Sequence, residues 1–372
     1  MDTDRLKKCF AHVAQYGDEV ALFFYSDLFL RAPQVRALFP VSMAAQRDRL
    51  LGALVKIVSE VDSLDSLVPF LRGLGRDHRK FGTIAEHYDA VGASLLVTLA
   101  HYSGSMWTSE LAADWKAAYA LVAQTMIEAA KEDEDQHPPW WDAAVITHER
   151  RSFDTAVFRV APLQLLPYAP GQSVAIEFDE CPRTWRFYSM ANAPRPDGTM
   201  DFHVRMIDGG ALSSALTRRL RPGSRLRLGP AVGGLTLNRT GRDILMVAGS
   251  TGLAPLKAIL EEVAAIGSPP RVDLFFGART ADGLYDLPDL EKMSAEWRWL
   301  TVTHAVSHDF GDRNYAGERG SIPDVVARHG LWRGHDAYIC GSSAMVQATA
   351  DRLVSAGVPN DQIHVEDFGW SR

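Results

Sequence analysis

Three polar side chains near the start of the chain, Tyr25, Gln46 and His78, are spaced so that each lies on an otherwise apolar helical stripe. The apolar residues of these stripes are Leu22, Leu28 and Phe29 with Tyr25, then Leu50, Leu54 and Ile57 with Gln46, and Leu71, Leu74 and Phe81 with His78. A buried phenol needs a hydrogen-bond partner, and an imidazole on an apolar face could ligate iron. Taken singly, a core phenol, a helix-start amide and a polar histidine at a helix end are the simpler interpretations.

A second candidate site is a glycine-containing turn that follows the buried strand pattern ILMVA. Gly249 and Gly252 flank Ser250 and Thr251, and a helix pattern then opens with Pro255 near its first turn. Glycine lets the backbone approach a pyrophosphate, and the start of a helix offers unpaired N–H groups. The turn lacks the full six-residue fingerprint, so a tight turn without a ligand is an equally good interpretation.

Composition limits the class of protein to which these candidate sites belong. The chain has 372 residues, 47% hydrophobic and 23% charged, with a net charge of -7, which favours two or three globular domains. No apolar run reaches the roughly 18 residues of a membrane span, and the absence of a long basic run argues against nucleic-acid binding. The cysteines Cys9, Cys181 and Cys340 form no CxxC pair, which argues against a disulfide framework or a structural zinc site. The charged N-terminus lacks a signal-peptide pattern, so we expect a cytoplasmic protein that acts on small molecules.

The hydrophobic periodicity changes twice along the chain and predicts three domains. Residues 1–138 repeat apolar positions every three or four residues, which predicts an all-α domain. Residues 139–240 alternate with a period of two between Pro and Gly turns, which predicts a small antiparallel β-barrel. Residues 241–372 alternate buried strands with helices, which predicts an α/β domain with a parallel sheet.

Five motifs occur in a characteristic order in the second and third of these domains: RFYS, GGALS, GSTGLAP, CGS and EDFG. In combination they resemble the ferredoxin-reductase-type flavoprotein module over about residues 145 to 372. The resemblance implies FAD in the groove of the barrel and NADH or NADPH at the carboxyl ends of the sheet. The residues implied for FAD are Arg186, Phe187, Tyr188, Ser189, Gly210, Ala211, Leu212 and Ser213, and those for the nicotinamide dinucleotide are Gly249, Thr251, Gly252, Arg279, Cys340, Gly341, Glu366 and Phe368.

The resemblance also implies a role for individual side chains in the flavin module. Arg186 is expected to pair with the FAD pyrophosphate, Tyr188 to pack on the flavin ring, and Ser189 to hydrogen-bond near its reactive nitrogen. Phe368 is expected to cover the flavin face where nicotinamide must stack, with Glu366 close by. Arg279 could meet a 2′-phosphate, which would favour NADPH, or could be an exposed charge without a ligand.

The pattern HxxFxxxxxxYxxVGxxLL is matched at residues 78–96, and with Tyr25 and Gln46 it resembles the globin pocket of the flavohaemoglobins. That resemblance spans nearly the whole chain and implies haem b with His78 as the iron ligand. It further implies Phe39 against the porphyrin, Leu50 as the apolar distal wall, and Tyr25 with Gln46 beside bound oxygen. A tyrosine and a glutamate are expected to orient His78 by hydrogen bonding. Tyr88 matches the tyrosine, and Glu132 is preferred over Glu128 for the carboxylate.

The family resemblance implies a nitric oxide dioxygenase that acts on O2, NO and NAD(P)H, and we expect a monomer. Three positions depart from the family pattern: Asp77 stands where lysine is common, Ala85 where proline is common, and Asp367 where many relatives have cysteine. Asp77, Asp367 and Ala130, which stands at the position counted for the glutamate, leave room for a haem-flavin oxidoreductase of a hydroperoxide or quinone. A haem gas sensor is a further alternative from a different class.

Overall fold

The computed structural model describes residues 1–308 and 315–366 and divides into two compact units. One unit is Met1–Trp140, and the other begins at Trp141. Each has its own buried apolar clusters. Within the described ranges, no helix is long and apolar enough to cross a membrane.

The first unit is built from α-helices. They are α1 (Thr3–Val13), α2 (Asp18–Arg31), α3 (Ala44–Ser59), α4 (Leu64–His78), α5 (His87–Ser103) and α6 (Ser109–Glu134). The sequence places the start of α3 near residue 41, three residues before its observed start. His78 is the last residue of α4, because a 3₁₀ turn follows and Gly82, at φ +76°, turns the chain in the left-handed region that glycine tolerates.

The second unit begins with six antiparallel strands and one helix. They are β1 (Trp141–Arg150), β2 (Thr155–Pro162), β3 (Ser173–Phe178), β4 (Arg186–Ser189), β5 (Met200–Arg205), α7 (Ala211–Arg218) and β6 (Arg225–Val232). The strand order is β4-β3-β6-β1-β2-β5, and a bridge between Met190 and Phe202 joins the end of β4 to β5. This bridge brings the two edge strands together, so the sheet is a nearly closed barrel around Phe158 and Phe202.

The same unit continues into a parallel sheet with helices on both faces. The strands are β7 (Asp243–Gly249), β8 (Val272–Ala278), β9 (Leu300–Val306), β10 (Glu318–Arg319), β11 (His335–Cys340) and β12 (Ile363–Val365). The helices are α8 (Leu253–Ala264), α9 (Leu287–Glu296), α10 (Ile322–His329) and α11 (Ser343–Ser355). The strand order is β10-β9-β8-β7-β11-β12, so the order reverses between β7 and β11. Ligands of open parallel sheets bind in the crevice that such a reversal creates.

The fold class expected from the sequence is confirmed. An all-α unit precedes an antiparallel barrel and then a parallel α/β sheet. The final pattern before the chain end, IHV, forms β12 beside β11 and brings Glu366 to the edge of the crevice.

Candidate functional site

The imidazole of His78 is held by a backbone carbonyl of its own helix. Nδ1 of His78 lies 2.7 Å from the carbonyl oxygen of Leu74. A carbonyl can only accept, so Nδ1 carries the proton and Nε2 keeps the lone pair that a metal requires. Desolvation by burial also lowers the pKa of His78, which favours the neutral form. The tautomer of this ring, with Nε2 free to coordinate a metal, therefore fits a residue that would hold the iron of haem.

The helix that carries His78 packs closely on α6 through Gly75. A Cβ atom at Gly75 would lie 2.2 Å from the carbonyl oxygen of Met126. Glycine is required at this position because any side chain would meet the backbone of α6. This contact fixes the position of α4 along α6, and therefore also the position of His78 at the end of α4.

Gly75→Ala is expected to lower the free energy of unfolding by about 1–3 kcal/mol, because the methyl group forces α4 away from α6. His78 would move with the helix, so the variant should also retain less haem after purification. Thermal unfolding and the haem-to-protein absorbance ratio measure both effects. The matched control is Gly73→Ala in the same helix, where a Cβ atom meets nothing within 4 Å. A Gly75→Ala protein as stable and as haem-rich as the Gly73→Ala protein would contradict the prediction.

The residues expected on the distal side are brought together around Tyr25. Tyr25 is 6% exposed, and its ring lies against Phe29 and Phe39 at centroid distances of 5.7 and 5.5 Å. Its hydroxyl lies 3.5 Å from the backbone carbonyl oxygen of Gln46, a distance at the limit of a hydrogen bond. Burial raises the pKa of Tyr25 to about 12, so the phenol stays protonated and can donate to a ligand.

The apolar stripes predicted on α2 and α3 are only partly buried. Leu50 and Leu54 pack against the core of the first unit, as predicted. Leu22 departs from the expectation, since it is 47% exposed. Gln46 contacts the Tyr25 hydroxyl through its backbone carbonyl. A contact between the Gln46 side-chain amide and bound oxygen stays a prediction.

The expected carboxylate partner of His78 lies elsewhere. Glu132 is 59% exposed and forms an ion pair with Arg72 of α4. Glu128, the alternative, accepts a hydrogen bond from Gln124 at 2.8 Å. The structure therefore gives no support to Glu132 as the group that orients His78, and the Leu74 carbonyl fills this role. The sequence signal for it is the position of His78 in the last turn of a helix, four residues after Leu74.

Tyr88 has a packing role in the described contacts. Its ring packs, as do Leu74 and Val122, against the buried cluster of Leu67, Phe70, Leu71 and Met126. Its backbone carbonyl accepts a hydrogen bond of 2.5 Å from the Tyr119 hydroxyl. Burial raises the pKa of Tyr88 to about 12. A hydrogen bond from Tyr88 to His78 stays a prediction.

The unusual Asp77 is matched by a cation close in sequence. The carboxylate of Asp77 contacts the ammonium group of Lys80. Lys80 is only 5% exposed, and its Nζ lies 5.1 Å from the centre of the Phe81 ring. The acidic residue before His78 is thus neutralised locally rather than left as an isolated charge.

The residues expected at the flavin lie on β4 and in its neighbourhood. Arg186, Phe187 and Tyr188 pair in register with β3, and Ser189 ends the strand. Burial raises the pKa of Tyr188, whose ring packs against the barrel core. Arg186 donates a hydrogen bond of 2.8 Å to the carbonyl of Trp185. This edge strand therefore carries the guanidinium, phenol and hydroxyl groups that are expected at the flavin.

The start of α7 forms a backbone cradle. Gly210 precedes Ala211, and a Cβ atom at Gly210 would lie 2.6 Å from the Ser213 hydroxyl oxygen. Ser213 accepts a hydrogen bond from the Ile207 N–H at 3.1 Å and donates one to the Gly210 carbonyl at 3.2 Å. Leu212, 2% exposed, anchors this helix start in the barrel core. Such a cradle of N–H groups fits an FAD phosphate.

The glycine turn lies at the sheet crevice identified above. Gly252 packs on the end of β11, since a Cβ atom there would be 2.3 Å from the Cys340 carbonyl oxygen. A 3₁₀ turn, Ser250–Gly252, connects Gly249 to Leu253, the first residue of α8. Gly341 follows β11 directly and lies beside Gly249. A Cβ atom on Gly341 would be 3.2 Å from the Cα atom of Gly249. The predicted residues of the dinucleotide turn are therefore brought together at the strand reversal.

Ser189, Cys340 and Glu366 form one hydrogen-bonded network. The Ser189 hydroxyl donates to Oε1 of Glu366 at 2.8 Å, and the Cys340 thiol donates to Oε2 at 2.7 Å. Burial raises the pKa of Glu366 to about 7 and raises the pKa of the Cys340 thiol well above its ordinary value. All three residues are predicted from the sequence motifs, and in the structure one carboxylate links the predicted flavin contact to the predicted nicotinamide contact.

Two residues predicted to contact the nicotinamide dinucleotide, Arg279 and Phe368, are not among the described members of this network. Arg279 is exposed directly after β8, and its carbonyl accepts a hydrogen bond of 2.8 Å from the His308 N–H. Its contact with a 2′-phosphate stays a prediction. Phe368, like Asp367, lies outside the described residues.

Comparison with known proteins gives three matching family models. The globin family matches residues 22–126, the oxidoreductase FAD-binding domain matches residues 142–236, and the oxidoreductase NAD-binding domain matches residues 246–351. These families account for the helical unit, the barrel and the parallel sheet in turn.

Individual relatives divide into partial and full-length matches. The electron transfer component of the Pseudomonas putida xylene/toluene monooxygenase is 31% identical over 61% of this chain, which spans 65% of that relative's length. The flavohemoprotein of Bordetella parapertussis is 27% identical over 95% of this chain and 94% of its own length. A crystal structure of the Malassezia yamatoensis flavohemoglobin with bound FAD and heme covers 99% of this chain and 98% of that chain, with a TM-score of 0.78 and 17% identity. This last likeness supports the fold.

Proposed function

Because the chain belongs to the flavohaemoglobin family, in which a globin domain precedes FAD-binding and NAD-binding oxidoreductase domains, we propose that it oxidises nitric oxide to nitrate with O2 and NAD(P)H. Its cofactors are haem, FAD and a nicotinamide dinucleotide, and it is an NAD(P)H-dependent oxidoreductase. When bound, FAD would supply the conversion of a two-electron hydride donor into single electrons, and haem would supply an iron centre for O2. Nitric oxide and O2 need one electron to form nitrate, so each NAD(P)H supports two conversions.

The single observation that carries this proposal is the His78 hydrogen bond to the Leu74 carbonyl. This hydrogen bond fixes the His78 tautomer in which Nε2 is unprotonated. His78 belongs to the helical unit, which is separate from the unit that contains the flavin module. Tyr25 supplies a buried, protonated phenol for an oxygen ligand that acquires negative charge. Leu50 and Phe39 supply the apolar walls that limit water. These residues hold and orient small ligands, and Ser189 and Glu366 act at the other end of the electron path.

Absorption spectra of the purified protein before and after anaerobic NADH test the first half of the proposal. A Soret band and a flavin band are expected, with flavin bleaching preceding haem reduction. Nitrate yield per NAD(P)H consumed, with O2 and nitric oxide present, tests the second half, and a ratio of two is expected. Faster turnover on an alkyl hydroperoxide or a quinone than on nitric oxide would overturn the proposed substrate.

Tyr25→Phe is expected to speed release of oxygen from the reduced protein and to lower nitrate formation about 10-fold to 100-fold, because a hydrogen bond to a charged group is worth about 1.5–3 kcal/mol. Flavin reduction by NADH should be unchanged. Stopped-flow measurement of the oxygen off-rate gives the direct test. Tyr102→Phe is the matched control, since that phenol donates to the Glu19 carbonyl at 3.2 Å on the surface of the same unit. Equal off-rates in the two variants would remove Tyr25 from the mechanism.

A further inference from the structure

A buried polar cluster lies where the barrel meets the parallel sheet, away from the residues assigned above. We call it the α8 cluster, and its members are Arg151, His203, Lys257, Tyr285, Asp286 and Asp289. Arg151 and His203 belong to the barrel, and the other four belong to the sheet domain. The proposed reaction uses none of them directly.

The centre of the cluster is an ion pair between α8 and the start of α9. Nζ of Lys257 donates to Oδ2 of Asp286 at 2.6 Å, and the Asp286 side chain is 0% exposed. Separating two such partners leaves a carboxylate uncompensated in a medium of low polarity, which is strongly unfavourable. Lys257 therefore holds α8 at one position along the 285–289 segment.

The barrel reaches the same segment through two groups. Arg151, just beyond β1, donates to Oδ2 of Asp289 at 3.1 Å, and its Nη1 lies 3.9 Å from Oδ1 of Asp286. Nδ1 of His203, on β5, lies 2.9 Å from the Tyr285 hydroxyl. Both contacts are directional, and the one between His203 and Tyr285 is fully buried while the one between Arg151 and Asp289 is partly exposed.

A further contact ties α8 itself to the barrel. Oε2 of Glu261, one helical turn after Lys257, accepts a hydrogen bond from the Ala193 N–H at 2.9 Å. Ala193 follows β4, the strand that carries Tyr188 and Ser189. Lys257 and Glu261 thus fix two successive turns of α8 relative to the flavin edge of the barrel.

The helix held in this way begins at the dinucleotide turn. Gly252 directly precedes α8 and packs against the Cys340 carbonyl, so a shift of α8 would displace both the turn and the end of β11. Cys340 in turn shares Glu366 with Ser189. A displacement at α8 is therefore passed to the site where nicotinamide and flavin must meet.

We propose that Lys257 and Asp286 are positioning residues for hydride transfer from NAD(P)H to FAD, acting by aligning α8 and its dinucleotide turn with the flavin edge of the barrel. The inference deepens the proposed function and rests only on its NAD(P)H-to-FAD step. In that step the dinucleotide loses a hydride and FAD gains it. Transfer needs close approach of the two rings, and a misplacement of about 1 Å can cost about 100-fold in rate.

The test compares the double variant Lys257→Met/Asp286→Leu with wild type in the full-length protein loaded with FAD. The double variant removes both charges together, so it avoids a buried unpaired carboxylate and should unfold at a temperature close to wild type. Flavin reduction is followed by anaerobic stopped-flow over a range of NADH and NADPH concentrations. The limiting rate of the double variant should be about one tenth of the wild-type rate or lower, with the apparent Kd changed less than about threefold. Arg239→Met is the matched control, since the Arg239 side chain is 68% exposed and forms an ion pair with Glu262 of α8.

A double variant with the wild-type limiting rate would overturn the inference, as would a rate loss that merely follows a lowered unfolding temperature. If the double variant does not fold, Arg151→Met gives the same test from the barrel side, where the side chain is 20% exposed. It should weaken the long-wavelength charge-transfer absorbance between nicotinamide and flavin and slow reduction about threefold. An unchanged band and rate would overturn the inference. Failure of the proposed function is separate, since it would leave flavin reduction intact without nitrate formation.

Discussion

Replacing His78 by alanine is expected to remove the Soret band and reduce nitric oxide consumption to the background rate, while NADH-driven reduction of ferricyanide continues at the wild-type rate. The imidazole is the only proposed bond from the protein to iron, and its Nε2 is made available by the hydrogen bond from Nδ1 to Leu74. The flavin module has its own cores in a separate compact unit, so it should fold and react without haem. Visible spectra and the two activities give the measurement.

The matched control for this prediction is the neighbouring histidine. His87 begins α5, and its Nδ1 accepts a hydrogen bond of 3.3 Å from the Ile84 N–H at the surface. His87→Ala should therefore keep the Soret band and full activity. Retention of a normal haem spectrum by His78→Ala, or loss of it in His87→Ala, would contradict the assignment of the ligand. Partial recovery of the His78→Ala spectrum with added imidazole would show that the pocket itself had survived.

Periodicity predicts the elements of this chain well because burial on one face leaves a regular pattern. The end of α4 at His78, the barrel and the parallel strands all follow from such patterns. The short strands β10 and β12 leave little signal, since two or three residues cannot establish a period. Their positions depend on the neighbouring strands β9 and β11.

Side-chain partners are harder to predict than elements, because they depend on contacts between distant parts of the chain. Counting along α6 places Ala130 at the expected position, with Glu128 and Glu132 two residues to either side. A count cannot reveal that Glu132 forms an ion pair with Arg72. The actual partner is a backbone carbonyl, which has no letter in a sequence motif. Lys257 and Asp286 likewise belong to no motif noted in the sequence, although the structure places them in contact.

The Ser189, Glu366 and Cys340 network predicts a pH dependence for flavin reduction. When ionised, Glu366 accepts from both Ser189 and Cys340, and on protonation one of its oxygens becomes a donor. Because the pKa of Glu366 is raised to about 7, the limiting rate of reduction by NADH should rise about tenfold as pH increases through 7. Glu366→Gln should show a flat profile at the lower rate. The control Glu262→Gln, which alters the exposed pair with Arg239, should keep the wild-type profile.

The same titration should affect stability with the opposite sign, which separates it from a general effect of pH. The pKa of Glu366 is about 7 in the folded protein against an ordinary value of 4.5, so between these values the folded state binds more protons than the unfolded state. The stabilising contribution is therefore complete below 4.5 and is lost as pH rises to 7. Urea unfolding over this range should show wild type losing stability relative to Glu366→Gln while its flavin reduction becomes faster. Parallel rather than opposite trends in rate and stability would show that Glu366 is not the titrating group.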